Sequence, residues 1–244
     1  MSQFVRSSKF RHVYSDPPKP ENTWSGFRLA TTTGEQCYIK ASAKYFALAV
    51  SGGGGPFVIC DLTKPGRYDA SNTFKCQGHS SSVLDFEWSP FDDDMIASAS
   101  DDSTIKLWQI PEGGMTKNIT EPLVDMRGHG RKVTLLRFNP TASNVLASCS
   151  GDMTVKIWDV EKGEALNTFT GNQELTQDIV WNYNGDMMAS SCKDKHTRFI
   201  DPRQGSEAGA FQPHEGSKSV KLTYLGASDK LATCGFTRQS QREL

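Results

Sequence analysis

The sequence predicts an all-β protein assembled from repeated small sheets. Three observations carry that prediction: a tract that recurs after 50 residues, short β-rich runs bounded by dense turn signals, and no long helical periodicity. Gly78-His79 returns as Gly128-His129. Ser98-Ala-Ser-Asp-Asp102-Ser-Thr-Ile-Lys-Leu-Trp108 returns as Ser148-Cys-Ser-Gly-Asp152-Met-Thr-Val-Lys-Ile-Trp158. In both copies the aspartate follows the histidine by 23 residues and the tryptophan follows the aspartate by six. An aromatic residue, Trp88 or Phe138, lies nine residues after each histidine.

A weaker copy places Gly171-Asn172 where Gly-His stood, then Trp181, Ser190, Asp194 and Ile200. Another opens with His214-Glu215 and runs to Leu231-Ala-Thr-Cys-Gly235. A divergent early copy spans Trp24 to Asp61, with strands at Tyr45-Phe-Ala-Leu-Ala-Val50 and Phe57-Val-Ile-Cys60. Ser89-Pro90, Asp101-Asp102, Asn139-Pro140 and Asn184-Gly185 mark turns. Four short strands per unit of ~40–45 residues is the signature of a WD-repeat β-propeller. The units are expected near residues 24–64, 76–111, 124–160, 166–202 and 208–244. No third or fourth strand is predicted after Gly235. The chain is therefore expected to hold about four and a half blades of a usual seven, as a fragment with an association-prone open edge. Residues 1–23 form a basic segment, part of it predicted as a strand of the closing blade.

A length of 244 residues suits one large all-β domain or two small domains, and 36% hydrophobic with 23% charged residues is the composition of a soluble globular protein. A formal net charge of −1 gives no global argument for nucleic acid or an anionic membrane, so an electrostatic partner must be read by a local patch. No run of ~18 apolar residues predicts a membrane span, and the first 15 residues do not read as a secretory signal. Six cysteines without a CxxC pair fit a reducing, cytosolic setting. Cys149, Cys192 and Cys234 recur at 43 and 42 residues, a spacing that puts them on equivalent strands and not around one metal.

Sharper chemical readings yield to plainer ones. Ser51-Gly-Gly-Gly-Gly-Pro56 lacks the lysine and hydroxyl of a phosphate loop and reads as a hairpin turn. Asp92-Asp-Asp94 lacks the spaced oxygens and distal glutamate of a calcium loop. His79 and His129 repeat at one position, as structural residues do and catalytic ones do not. With no cofactor site and no unrepeated acid–base cluster, the sequence predicts a non-enzymatic protein.

In WD-repeat proteins the histidine, serine, aspartate and tryptophan of one blade form a hydrogen-bonded chain. Carried over, these are His79, Ser98, Asp102 and Trp108, then His129, Ser148, Asp152 and Trp158. The copy with Asn172 and Ile200 is expected to lack it. Outside that consensus, several segments in order resemble coronins: Ser8-Lys-Phe-Arg-His-Val-Tyr14, Ala49-Val-Ser-Gly-Gly-Gly-Gly-Pro-Phe57, Trp108-Gln-Ile-Pro-Glu-Gly113, Thr120-Glu-Pro122, Cys192-Lys-Asp-Lys195, Ile200-Asp-Pro-Arg203, His214-Glu-Gly216 and Gly235-Phe-Thr-Arg238. The resemblance implies binding to actin filaments and a role in actin turnover, in the cytoplasm and on the cytoskeleton. It also implies contact with the actin-related-protein nucleating complex through a C-terminal coiled coil, of which this sequence shows no heptads. An arginine of the family's first blade contributes to filament binding, and Arg28 in Gly26-Phe-Arg28-Leu matches that position. Residues 1–28 carry a charge of +3, so Lys9 and Arg11 join Arg28 as candidate actin contacts. The competing reading is a generic WD-repeat adaptor for a non-actin protein.

Overall fold

The computed structural model describes residues 16–31, 37–69 and 73–244. Its strands follow the turn punctuation. β1 is Trp24–Ser25, β2 Ile39–Ala41, β3 Tyr45–Ala49, β4 Phe57–Asp61, β5 Gly66–Arg67 and β6 Lys75–Cys76. β7 is Val83–Trp88, β8 Met95–Ser100, β9 Thr104–Gln109 and β10 Val124–Arg127. β11 is Val133–Phe138, β12 Val145–Ser150, β13 Val155–Asp159 and β14 Glu164–Phe169. β15 is Thr176–Trp181, β16 Met188–Cys192, β17 Thr197–Asp201 and β18 Ser206–Phe211. β19 is Lys221–Tyr224, β20 Leu231–Phe236 and β21 Arg242–Glu243.

These make four four-stranded sheets, β2-β3-β4-β6, β7 to β10, β11 to β14 and β15 to β18, then a three-stranded sheet β19-β20-β21. Pairing within each is antiparallel. The sheets are blades 1 to 5 of a partial WD-repeat propeller. Within each blade the chain runs from the inner strand outward. Its second-to-third-strand turns and inter-blade connections therefore share one face, here the upper face, and the other turns form the lower face.

Burial follows from stacking. A lone sheet leaves two faces wet; between neighbours those faces become core. Phe57 and Ile59 of blade 1 pack with Phe86 and Trp108 of blade 2. Leu107 and Met126 pack with Leu136 and Trp158, and Cys149 and Ile157 with Ile179 and Met188. Val180 and Ala189 pack with Val220 and Leu222. The second strands β8, β12 and β16 are buried along nearly all their length, which explains their small Ala, Ser and Cys residues. Cys149, Cys192 and Cys234 stand on β12, β16 and β20.

Polar contacts lock neighbouring inner strands. Asp85 Oδ2 accepts the Leu136 N–H at 2.9 Å, and Asp178 Oδ2 accepts the Leu222 N–H at 3.1 Å. Trp88 Nε1 donates to the Lys40 carbonyl at 3.0 Å, and Trp181 Nε1 to the Arg137 carbonyl at 3.1 Å. Lys40 pairs with Asp85 and Glu87, and Arg137 reaches Asp85, Glu87 and Asp178. Charge thus alternates from blade to blade. Asp92-Asp-Asp94 is a turn, and it joins blades 1 and 2: Asp93 Oδ1 accepts the Ala43 N–H at 2.9 Å, and Lys44 Nζ sits 2.6 Å from Asp94.

Two expectations change. A third strand does form in the last blade: Arg242–Glu243 pairs with Gly235 and Phe236, because Thr237 to Gln241 closes a turn after β20. Trp24 does not open blade 1's sheet. Trp24–Ser25 pairs in parallel with Gly66–Arg67, and Trp24 packs edge-on against Phe46 at 5.4 Å with Phe27 and Tyr68 beside it. That segment covers the side of blade 1 facing away from blade 2. The strand predicted within residues 1–23 falls largely outside the described residues; Pro20–Asn22 is a single 3-10 turn.

Candidate partner surface and structural tetrads

The repeated residues meet in two hydrogen-bonded chains, one in blade 2 and one in blade 3. Trp108 Nε1 donates to Ser98 Oγ at 2.8 Å, His79 Nε2 lies 2.8 Å from the same oxygen, and His79 Nδ1 lies 3.0 Å from Asp102 Oδ2. Blade 3 repeats this with Trp158, Ser148, His129 and Asp152 at 2.8, 2.7 and 3.0 Å. Indole donates only and carboxylate accepts only, so each serine hydroxyl donates a hydrogen bond to Nε2 and each imidazole donates from Nδ1. Trp108 and Trp158 are 0% and 1% exposed. An indole so buried needs its N–H satisfied, and the serine supplies the acceptor.

The electrostatics agree. Burial pushes the Asp102 and Asp152 carboxyls up, but hydrogen bonds from histidine, Thr104 or Thr154 and backbone N–H groups outweigh it, so both end far below the usual carboxylate range. Burial holds the His129 imidazole below its ordinary value against the pull of Asp152, so it stays neutral. Burial pushes the Cys60 thiol up to about 12 and raises Cys76 and Cys149 further, leaving these thiols inert.

Blade 4 lacks the tetrad. Ser190 Oγ is buried without a hydrogen-bond partner among the described residues, as is Thr197 Oγ1. Arg198 fills the role with ions, at 2.7 Å from Asp194 and 3.4 Å from Asn172. Burial raises the Asp194 carboxyl, but Arg198 and the His196 N–H bring it down to about 2. Blade 5 builds a variant: His214 Nε2 lies 3.0 Å from Thr233 Oγ1 and Nδ1 lies 3.2 Å from Glu243.

Arg28 is exposed beside the upper turn of blade 1. Its carbonyl accepts the Ser51 N–H at 2.8 Å, and the next residue, Leu29, bridges Val50. Gly26 makes this path possible. At φ +93°, a Cβ there would meet the Tyr68 carbonyl oxygen at 2.0 Å. Phe27 stacks on Tyr68 at 5.0 Å. Arg28, Arg67 and Lys75 line one open groove of about 530 Å³, with Asp69 the carboxylate among its described lining residues. Arg67 and Lys75 were invisible as partners of Arg28 in the sequence; the parallel β1–β5 pairing and strand β6 bring them near. Lys9 and Arg11, the other predicted contacts, lie outside the described residues.

Comparison with known proteins agrees with this architecture. The family described as "WD domain, G-beta repeat" matches residues 70–109, 120–159 and 163–201, each span covering the outer strand of one blade and the first three strands of the next, from β6 to β17. A domain of unknown function, DUF1899, matches residues 3–67, the span that carries Arg28. Coronin-A of Dictyostelium discoideum is 44% identical over 245 residues, covering 100% of this chain and 54% of that protein. The chain thus spans about half the length of that curated relative. The crystal structure of the WD40 domain from Toxoplasma gondii coronin superposes with a TM-score of 0.85 at 33% identity, covering 93% of this chain and 61% of that one. On the blade architecture and on identity along its whole length, the chain fits the N-terminal WD-repeat propeller region of the coronin family.

Proposed function

We propose that this chain binds actin filaments through protein–protein contacts, as a non-enzymatic, cytoplasmic component of cytoskeletal organisation. The observation that carries the reading is the groove in which Arg28, Arg67 and Lys75 converge, on a chain 44% identical to Coronin-A. Guanidinium groups suit carboxylates on an acidic filament because they stay charged and donate in a planar fork. An exposed ion pair alone is worth about 0–1 kcal/mol, so binding needs the three cations together. The histidine tetrads serve the scaffold and touch no partner. Contact with the actin-related-protein nucleating complex belongs, in this reading, to a coiled coil outside this sequence. No helix among the described residues is long and apolar enough to cross a membrane.

Sedimentation of the chain with polymerised actin over a salt series tests the reading. Binding should weaken steadily as salt rises. Salt-independent binding, or none at low salt, contradicts it; the second outcome favours an adaptor for another protein.

A further inference from the structure

A net charge of −1 conceals a separation of charge between the two faces. On the upper face of blades 3 to 5, Arg131, Lys132, Lys193, Lys195, Lys218 and Arg238 are all exposed. They come from the upper turns and connections of three successive blades, a band of cations on one face. Arg131 and Lys132 flank Gly151, and the Lys193 N–H bonds the Leu175 carbonyl at 2.9 Å. Lys195 Nζ crosses to the Glu215 carbonyl of blade 5 at 3.1 Å, and Lys218 Nζ stands 5.0 Å over the Phe236 ring.

Carboxylates offset them in part. Asp194 is paired with Arg198, which is not one of the six, and Glu215 and Arg238 pair with each other at 3.0 Å. Among the described residues the other five cations then face Asp152, ionised beside the neutral His129, with Glu174 and Glu243. On the lower face carboxylates outnumber cations among the described residues, led by Asp92, Asp93, Asp94, Glu112 and Glu161. Such a polarity orients an approaching acidic partner toward the upper face and raises its encounter rate.

We infer that the upper face of blades 3 to 5 is a second docking surface for an acidic protein surface, separate from the Arg28 groove and engaging the same filament. The identity of the partner rests on the filament reading; the position of the surface rests on the charge band. A protein fits better than a bilayer. Glu174 and Glu215 interleave with the cations, a mixed pattern that a complementary protein can match and an anionic headgroup layer repels. Met153 and Leu175, 40% and 41% exposed among the cations, add apolar contact too small for insertion into lipid.

The test uses the whole chain and polymerised actin at low salt. Lys132→Glu with Lys193→Glu reverses two charges on the band. Lys117→Glu with Lys230→Glu makes the same change of net charge on the lower face. The first pair should weaken filament binding about tenfold, and the control should stay within about twofold. The milder Lys132→Gln with Lys193→Gln pair should weaken binding in the same direction, and it replaces the first pair should that pair melt early. Equal effects of band and control variants overturn the inference while leaving filament binding intact. Failure of the wild-type chain to bind filaments removes the filament reading and this inference with it. Stronger capture of the wild type by phosphatidylserine vesicles than by filaments, lost in the band variant, makes the surface a membrane contact and also overturns it.

Discussion

Ser98 and Ser190 occupy the same place in their blades, yet Ser98 Oγ is bonded by both Trp108 and His79, while Ser190 Oγ is buried with no partner among the described residues. The difference lies in their neighbours: Ile200 and Asn172 stand where tryptophan and histidine would complete the chain. Removing a hydroxyl that two buried groups need strands both; removing an orphan strands nothing. Ser98→Ala should lower unfolding free energy by about 1–3 kcal/mol, whereas Ser190→Ala should be neutral or stabilising. Thr197→Val should also stabilise, since it replaces a second orphaned hydroxyl with a methyl group. Urea unfolding of the three variants checks this, and equal losses at Ser98 and Ser190 would refute it.

The tetrads belong to the fold. Asp102→Ala removes the acceptor of His79 Nδ1 and of the Ser80 and Thr104 N–H groups, and should cost about 1–3 kcal/mol. Melting temperature reads this directly. An unchanged melting temperature with lost filament binding would make Asp102 a contact residue.

Acid should destabilise the protein in two stages. His129 is held below its ordinary value in the folded state, so the unfolded chain takes up the proton first as pH falls below about 6.5. Asp102 and Asp152 are also depressed, so their contribution is complete above the unfolded carboxylate range and drains away below pH ~4. Melting temperature should therefore fall between pH 7 and 5 and fall again below pH 4. A flat profile from pH 7 to 5 would contradict the neutral, buried imidazole.

Met153 adopts φ +67° in the upper turn of blade 3, a left-handed conformation that Ser103 and Lys195 share at matching positions. A side chain there crowds the following carbonyl, at a cost of about 1–2 kcal/mol that glycine avoids. Its side chain is 40% exposed, so little packing is lost on truncation. Met153→Gly should raise the unfolding midpoint in urea, and a lowered midpoint would show that the side chain is held by contacts worth more than the strain.

Much of this was legible in sequence because the tetrads are periodic. A constant offset from histidine to aspartate to tryptophan forces the same register in each sheet, so Trp108 and Trp158 could be placed by arithmetic. The same arithmetic marked Asn172 and Ile200 as a gap. What escaped was carried by pairings with no local pattern. β1 meets β5 across about 40 residues of chain, which alone brings Arg67 near Arg28. Charge along the inner strands is likewise set between blades: Arg137 reaches Asp85 and Asp178, each more than 40 residues away. The short β21 was missed because two residues, Arg242 and Glu243, carry no alternation to read.

The central claim is that a charged surface on blade 1 binds filaments without supporting the fold. Arg28 is exposed and its backbone, not its guanidinium, makes the contacts that fix the segment. The direct measurement is sedimentation of wild-type and Arg28→Asp chains with polymerised actin at low salt, beside their melting temperatures. The account predicts that the wild type pellets with filaments, and that Arg28→Asp stays largely in the supernatant and melts within about a degree of the wild type. Wild-type pelleting by a well-folded Arg28→Asp chain, or loss of its fold, would contradict it.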